Sequence, residues 1–210
     1  KDDEKIVIVT NDRDMLQLLH ERIGVYVINL RKIVTIKNYN ENFNHHYSNI
    51  KLLKILSGDN SDNIKGIKGV SEKTLIKYFP EFTLQSLTLE DIFSKIEIIQ
   101  SERKTRLKTL DNIINKVTVG IQGEDIYNIN DKIIDLKKPL LTESSKTYLD
   151  DLFETPIDPE DRTTKNVIKM MVEDGLTMAI PGGRDGYINF LRPFLRIIKK
   201  EKSYFSKNAN

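Results

Sequence analysis

Ile6-Val7-Ile8-Val9 is an unbroken apolar, β-branched run, the pattern of a strand buried on both faces of a largely parallel sheet. After the polar turn Thr10–Asp14, the apolar positions Met15, Leu16, Leu18, Leu19 and Ile23 fall at helical spacing. Asparagine and aspartate stand ready to cap that helix, so a strand-turn-helix unit is predicted. Val25–Ile28 and Ile33–Ile36 read as two further strands, joined through 29–32 in a hairpin-like connection. A polar, Asn-rich loop over 37–44 ends the sheet.

Beyond it the period changes. Ile50, Leu52, Leu53, Ile55 and Leu56 predict a helix stopping at Ser57-Gly58, followed by a structured loop over 59–69. A second helix runs from Ser71 to Phe79, ended by Pro80. Thr88-Leu89-Glu90-Asp91 caps a third, and Ser101–Val117 reads as a longer amphipathic one. Ile133–Leu136 looks extended before Pro139. Asp161–Thr164 opens a helix through Val172 that Gly175 terminates, and Pro181-Gly182-Gly183 reads as a flexible joint. The basic-aromatic stretch Tyr187–Phe205 contains Pro193, which argues against one unbroken helix.

Composition narrows the chemistry. The 210 residues contain no cysteine and three histidines, which excludes thiolate metal sites and thiol nucleophiles and leaves carboxylates to hold any metal. Thirty-three Lys+Arg against thirty-one Asp+Glu give +2, too balanced to announce a nucleic-acid partner by total charge. No apolar run approaches the roughly 20 residues of a membrane span, and the first residues resemble no signal peptide. The expectation is a soluble protein without a membrane partner, cytoplasmic, or in the host-cell cytoplasm if phage-encoded. Residue 1 is Lys and the chain enters a core-like strand almost at once, so it reads as a piece of something longer.

Two acidic clusters stand out. Asp12 and Asp14 follow the first strand, at the carboxyl end of the sheet where open α/β folds place ligands. Taken alone they are a helix cap and a surface acid. Asp59 and Asp62 lie in a segment of small polar residues that could equally be an Asx-rich turn. A calcium loop fails because Val70 stands where the twelfth-position glutamate belongs. If the pairs converge, two carboxylates about 4 Å apart repel by roughly 4 kcal/mol at an effective dielectric near 20, and a cation is required. Oxygen-only ligands select a hard ion such as Mg²⁺, for which two-ion phosphodiester hydrolysis is the natural reaction. Next along the chain, Gly66 and Gly69 can open the backbone to a phosphate, and Lys65, Lys68, Lys73 and Lys77 add sequence-independent attraction.

Together, VTNDRDMLQLL (9–19) and GDNSDNIKGIKGVSEKT (58–74) resemble the 5′-to-3′ exonuclease and flap endonuclease family, with the length beyond them suggesting its phage-type replication ribonuclease H branch. The resemblance implies an α/β chain: the C-terminal part of a PIN-like (resolvase-like) nuclease sheet over 1–44, a mainly helical region over 45–140, and a helical extension over 141–210. It implies that Asp12, Asp14, Asp59 and Asp62 bind two Mg²⁺ ions, Mn²⁺ being the alternative, and are the catalytic residues. It implies a helix-three-turn-helix DNA-binding element over Ile64–Phe79, with Lys65, Gly66, Lys68, Gly69, Ser71, Lys73, Thr74 and Lys77 on the duplex and K⁺ on loop carbonyls. Ser71 departs from the family's third glycine. Implied substrates are DNA with 5′ flaps, nicks or ends and RNA–DNA primers.

Family members also place metal-binding aspartates on an earlier strand, an acidic helical segment and basic arch residues, none of which has a counterpart in Lys1–Lys5. This leads to the expectation that the chain alone is inactive, being either truncated or completed by a separate N-terminal nuclease half. Two other readings stand beside the enzyme: a non-catalytic duplex DNA-binding module, and a replication scaffold docking a sliding clamp or single-strand-binding protein.

Overall fold

A computed structural model describes residues 4–118, 125–156, 163–176 and 185–193, with a few single positions beside them. The chain divides into two compact units, Lys1–Leu141 and Thr142–Asn210.

The first unit opens with a three-stranded sheet in the order β1-β2-β3: β1 (Ile6–Thr10), β2 (Ile23–Val27) and β3 (Lys32–Val34). β1 and β2 are parallel, Ile8 opposite Val25, and β2 and β3 form the expected antiparallel pair, Tyr26 opposite Ile33. The buried strand is β2, with Val25 and Val27 at 0% and 4% exposure. β1 departs from its expectation: it is an edge strand, and Ile6, Val7 and Val9 are 53%, 48% and 64% exposed. Both faces of an apolar strand are buried only where other layers cover them, and among the described residues β1 pairs with β2 alone at the sheet's edge.

The predicted helix after β1 is instead a 3₁₀ turn, Arg13–Leu18, and Ile23 already belongs to β2. Residues 11–22, a crossover of about a dozen residues, the short end of what parallel strands need, make this turn and then the His20–Ile23 bridge. Leu16 and Leu19 nonetheless pack with Val25, Val27, Val34, Tyr39 and Ile50 in one cluster.

α1 (Ile50–Ser57) buries Leu52, Ile55 and Leu56 and is stopped by Gly58 at φ +74°, a left-handed conformation suited to glycine. The loop expected over 59–69 contains a tight antiparallel pair, β4 (Gly58–Asp59) with β5 (Ile64–Lys65). α2 (Glu72–Tyr78) is capped by Ser71, whose hydroxyl accepts from the Thr74 N–H at 3.3 Å. α3 (Leu89–Ser101) starts at a reciprocal Thr88–Asp91 capping box.

The long helix predicted over 101–117 is broken: only α4 (Lys108–Ile114) is helical after α3. The Gln100 side chain accepts from the Leu107 N–H at 2.9 Å and donates to its carbonyl at 3.1 Å, pinning the bend. Ile133-Ile134, expected to be extended, ends α5 (Ile126–Ile134). Tyr127, Asn130 and Ile134 are its buried positions, at helical spacing. Asn130 donates to the carbonyls of Ile55 and Lys65 at 3.1 and 2.9 Å, tying α5 to α1 and β5. The main core joins Leu56, Leu75, Phe79, Phe82, Ile92 and Leu110 among others.

α5 is also held through charge. Lys51 reaches Asp131 at 2.9 Å and Asp135 at 2.8 Å. Burial works against the Lys51 ammonium, but these two bonds leave its pKa raised, and Lys51 in turn holds the Asp135 carboxyl below the usual range. A depressed folded pKa contributes stability above the unfolded value near 4 that is lost as pH falls through the folded one. Asp135→Asn should therefore cost about 2 kcal/mol at pH 7 in urea unfolding, with the difference shrinking as pH falls below the unfolded carboxylate value near 4; a pH-independent difference would contradict the pairing.

In the second unit, α6 (Glu143–Glu154), within the span expected to be a helical extension, is capped by Thr142, and α7 (Thr164–Glu173) by Thr163. Gly175 follows α7 at φ +70°. Residues 185–193 are helical. Asp161, Arg162, Pro181, Gly183 and the basic-aromatic stretch from 197 onward lie outside the described residues. No described helix is long and apolar enough to cross a membrane.

Candidate metal centre and nucleic-acid interface

Asp14 sits in the first turn after β1, at the carboxyl end of a strand in the parallel pair. Asp59 follows the C-terminal glycine of α1, and Asp62 occupies the connection between β4 and β5. Packing of the 3₁₀ turn on α1 brings these separate segments together: Asp14, Asp59 and Asp62 each offer a carboxylate oxygen, all within 4.8 Å of one another. Asp14 and Asp59 are partly buried and Asp62 is exposed.

Asp12 has a different task. The chain turns into 3₁₀ geometry at Arg13, and Asp12 Oδ1 accepts from the Asp14 N–H at 2.8 Å as the cap of that turn. It is not part of the convergent group. Two aspartates two residues apart share a face only while the strand continues, and here it has ended.

The cluster contains a residue the sequence reading passed over. Lys54, in the last turn of α1, bonds Asp14 and, at 2.5 Å, Asp59 Oδ2. Asp59 Oδ1 accepts from Ser61 Oγ at 2.5 Å and Ser61 N at 2.9 Å. Lys54 first, then Ser61, pull the Asp59 pKa down to about 2. Burial disfavours the Lys54 ammonium, yet its two carboxylate partners leave its pKa raised. The available signal was a lysine in the last turn of the helix that delivers Asp59.

The glycine-lysine element lies directly beyond. Gly66 sits against the end of α1, and the Ile67 N–H donates to Leu56 O at 2.8 Å. The Lys68 N–H donates to Val117 O at 2.8 Å, and its carbonyl accepts from Asn112 at 2.9 Å. Gly69 takes φ +81°. Ile67 and Val70 are buried, while Lys65, Lys68, Gly69, Ser71, Lys73 and Lys77 are exposed and Thr74 is half-buried. Lys73 and Lys77 share one face of α2. A Cβ at Gly69 would lie 3.6 Å from Thr109 Oγ1, so the start of α4, with exposed Lys108, adjoins the same loop, a neighbour hidden in the sequence by a separation of some forty positions.

A buried bridge joins this element to the first sheet's loop. Glu72, on α2, accepts from His45 Nδ1 at 2.7 Å, which leaves His45 Nε2 to accept from the Tyr39 hydroxyl at 2.8 Å. Burial, reinforced by Glu72, raises the Tyr39 pKa.

A small sheet whose carboxyl end carries acids, followed by helices, makes this an α/β fold. The T5 5′-exonuclease, solved as a mutant, has this fold, superposing with a TM-score of 0.53 at 19% identity over 72% of this chain and 58% of that one. In sequence, the chain is similar to 5′-3′ exonucleases and to DNA polymerase I. It is 32% identical over 112 residues to the 5′-3′ exonuclease of Mycoplasmopsis pulmonis (51% of this chain, 36% of that protein), and 35% identical over 91 residues to that of Bacillus subtilis (41% and 31%). It is 30% identical over 137 residues to DNA polymerase I of Caldicellulosiruptor bescii (58% and 16%). The chain thus spans only 16 to 36% of the length of these relatives. No family model matches it.

Proposed function

We propose that the chain forms part of a divalent-metal-dependent 5′-to-3′ nuclease that hydrolyses phosphodiester bonds of DNA carrying 5′ flaps, nicks or ends, and of RNA–DNA primers. The observation that carries this reading is the meeting of Asp14, Asp59 and Asp62 from separate segments beside an exposed glycine-lysine turn. A hard divalent ion fits the donor set, because all three ligands are carboxylate oxygens and a side-chain cation already stands against two of them. Mg²⁺ or Mn²⁺ bound there would supply charge stabilisation and an activated water for attack on phosphorus.

The chain's own residues have separable tasks. Asp14 and Asp59 hold the ion from partly buried, anchored positions, Asp59 being fixed by Ser61. Asp62 would supply the third carboxylate oxygen, from an exposed position. Residues 64–79 act as a helix-three-turn-helix: Lys65 and Lys68 flank the glycine turn and Lys73 and Lys77 project from α2, gripping the duplex backbone with Gly66, Gly69, Ser71 and Thr74, and the turn's carbonyls would hold K⁺. Lys108 extends this surface. The three clustered carboxylates suffice for one ion, so two-ion hydrolysis requires further ligands from outside the described cluster, and the isolated chain is expected to be nearly inactive.

The test uses a labelled duplex with a 5′ flap, with the chain alone and mixed with the family's N-terminal nuclease half. Cleavage should need Mg²⁺, vanish in EDTA and rise sharply on mixing. Salt-sensitive binding with no metal-dependent cleavage in any combination would favour the binding-module reading. Lys73→Ala and Lys77→Ala should each weaken duplex binding at every sequence and lower the slope of log affinity against log salt by about 1, read by fluorescence anisotropy across a KCl series.

A further inference from the structure

We propose that Lys54 is the resident counter-cation of the carboxylate cluster, a tethered ammonium that a divalent ion must displace, and hence the residue that sets how tightly and with what charge the cluster binds metal. The inference rests on the metal reading above and deepens it.

The geometry leads to this role step by step. Lys54 leaves the last turn of α1 and its ammonium bonds both Asp14 and Asp59, two of the three clustered carboxylates. Its side chain is 17% exposed and those of its partners 23% and 15%, so water screens the group poorly. The neighbouring cation, Arg13, is engaged elsewhere, over the Phe43 ring at 5.9 Å. Without Lys54, closely spaced carboxylates would repel and splay. With it, the cluster is assembled before metal arrives.

That arrangement imposes a charge threshold. A monovalent ion entering the cluster replaces one positive charge by another and gives up the covalent tether, so it gains nothing. A divalent ion adds a charge and wins, but against the ammonium. Lys54 therefore lowers affinity for every metal while selecting for divalent ones.

The experiment measures Mn²⁺ binding to the full metal-stripped chain by calorimetry, comparing the unsubstituted protein with Lys54→Met and Lys54→Gln. Both variants should bind Mn²⁺ at least about tenfold more tightly. In both, exchanging tetramethylammonium chloride for NaCl at fixed ionic strength should weaken Mn²⁺ binding, whereas the unsubstituted protein should be insensitive. In the unsubstituted protein, the Lys54 side-chain NMR resonances should shift on Mg²⁺ addition with the same midpoint as binding, a readout independent of how the variants fold. Equal or weaker Mn²⁺ affinity in both variants, or Lys54 resonances unmoved at saturating Mg²⁺, overturns the role of Lys54 and leaves the metal reading standing. No binding by any of the three proteins overturns both.

Discussion

Gly66→Ala should unfold the first unit rather than merely soften it. A Cβ at this position would overlap the Ser57 carbonyl and the Gly58 amide nitrogen. Every one of those atoms is backbone, at the junction where α1 ends and β4 begins, so no rotamer change relieves the clash. Moving the junction would break the Ile67–Leu56 hydrogen bond and shift Asp59 away from Asp14. The cost should be about 4 kcal/mol or more, a large share of a domain's roughly 5–15 kcal/mol. Gly175→Ala is the control: its φ is +70° but nothing lies within 4 Å of the new methyl, so only the left-handed backbone penalty of about 1 kcal/mol applies. Thermal unfolding should show a collapse for the first variant and a small shift for the second; similar modest shifts would mean that the approach of residue 66 to residues 57 and 58 is looser than described.

The same junction marks what the sequence could and could not reveal. Gly58, Gly66 and Gly69 are legible as turn glycines, but only coordinates tell which one is needed for contact and which for φ. The Ser71 and Thr88 caps were readable because capping is local chemistry between residues three apart. Ile133-Ile134 misled because a short β-branched pair before a proline resembles a strand, and the helix is decided by Tyr127 and Asn130, whose partners lie in α1, α4 and β5. Lys54 was invisible for the complementary reason. Nothing local separates it from Lys51 on the same helix, yet one reaches the acidic cluster and the other reaches α5.

Asp14→Asn and Asp59→Asn should each reduce Mn²⁺ affinity by on the order of 100-fold or more, and reduce cleavage by the completed nuclease by about 1000-fold, while Asp12→Asn changes both by less than about twofold. Asparagine caps a helical turn as well as aspartate does, so Asp12→Asn leaves the 3₁₀ entry intact and removes only a charge outside the convergent group. Asp12→Ala should cost about 1 kcal/mol of stability through the lost cap with metal affinity again preserved. Loss of Asp59 acts twice: it deletes a ligand oxygen anchored by Ser61, and it leaves Lys54 held by Asp14 alone, an ammonium with one ion pair in place of two and so a weaker competitor for the site. Adding Lys54→Met to Asp59→Asn should therefore recover part of the lost Mn²⁺ affinity, but less than Lys54→Met gains in the unsubstituted background. An Asp12→Asn effect as large as that of Asp14→Asn would place a fourth carboxylate on the ion and require the turn at Arg13 to open when metal binds.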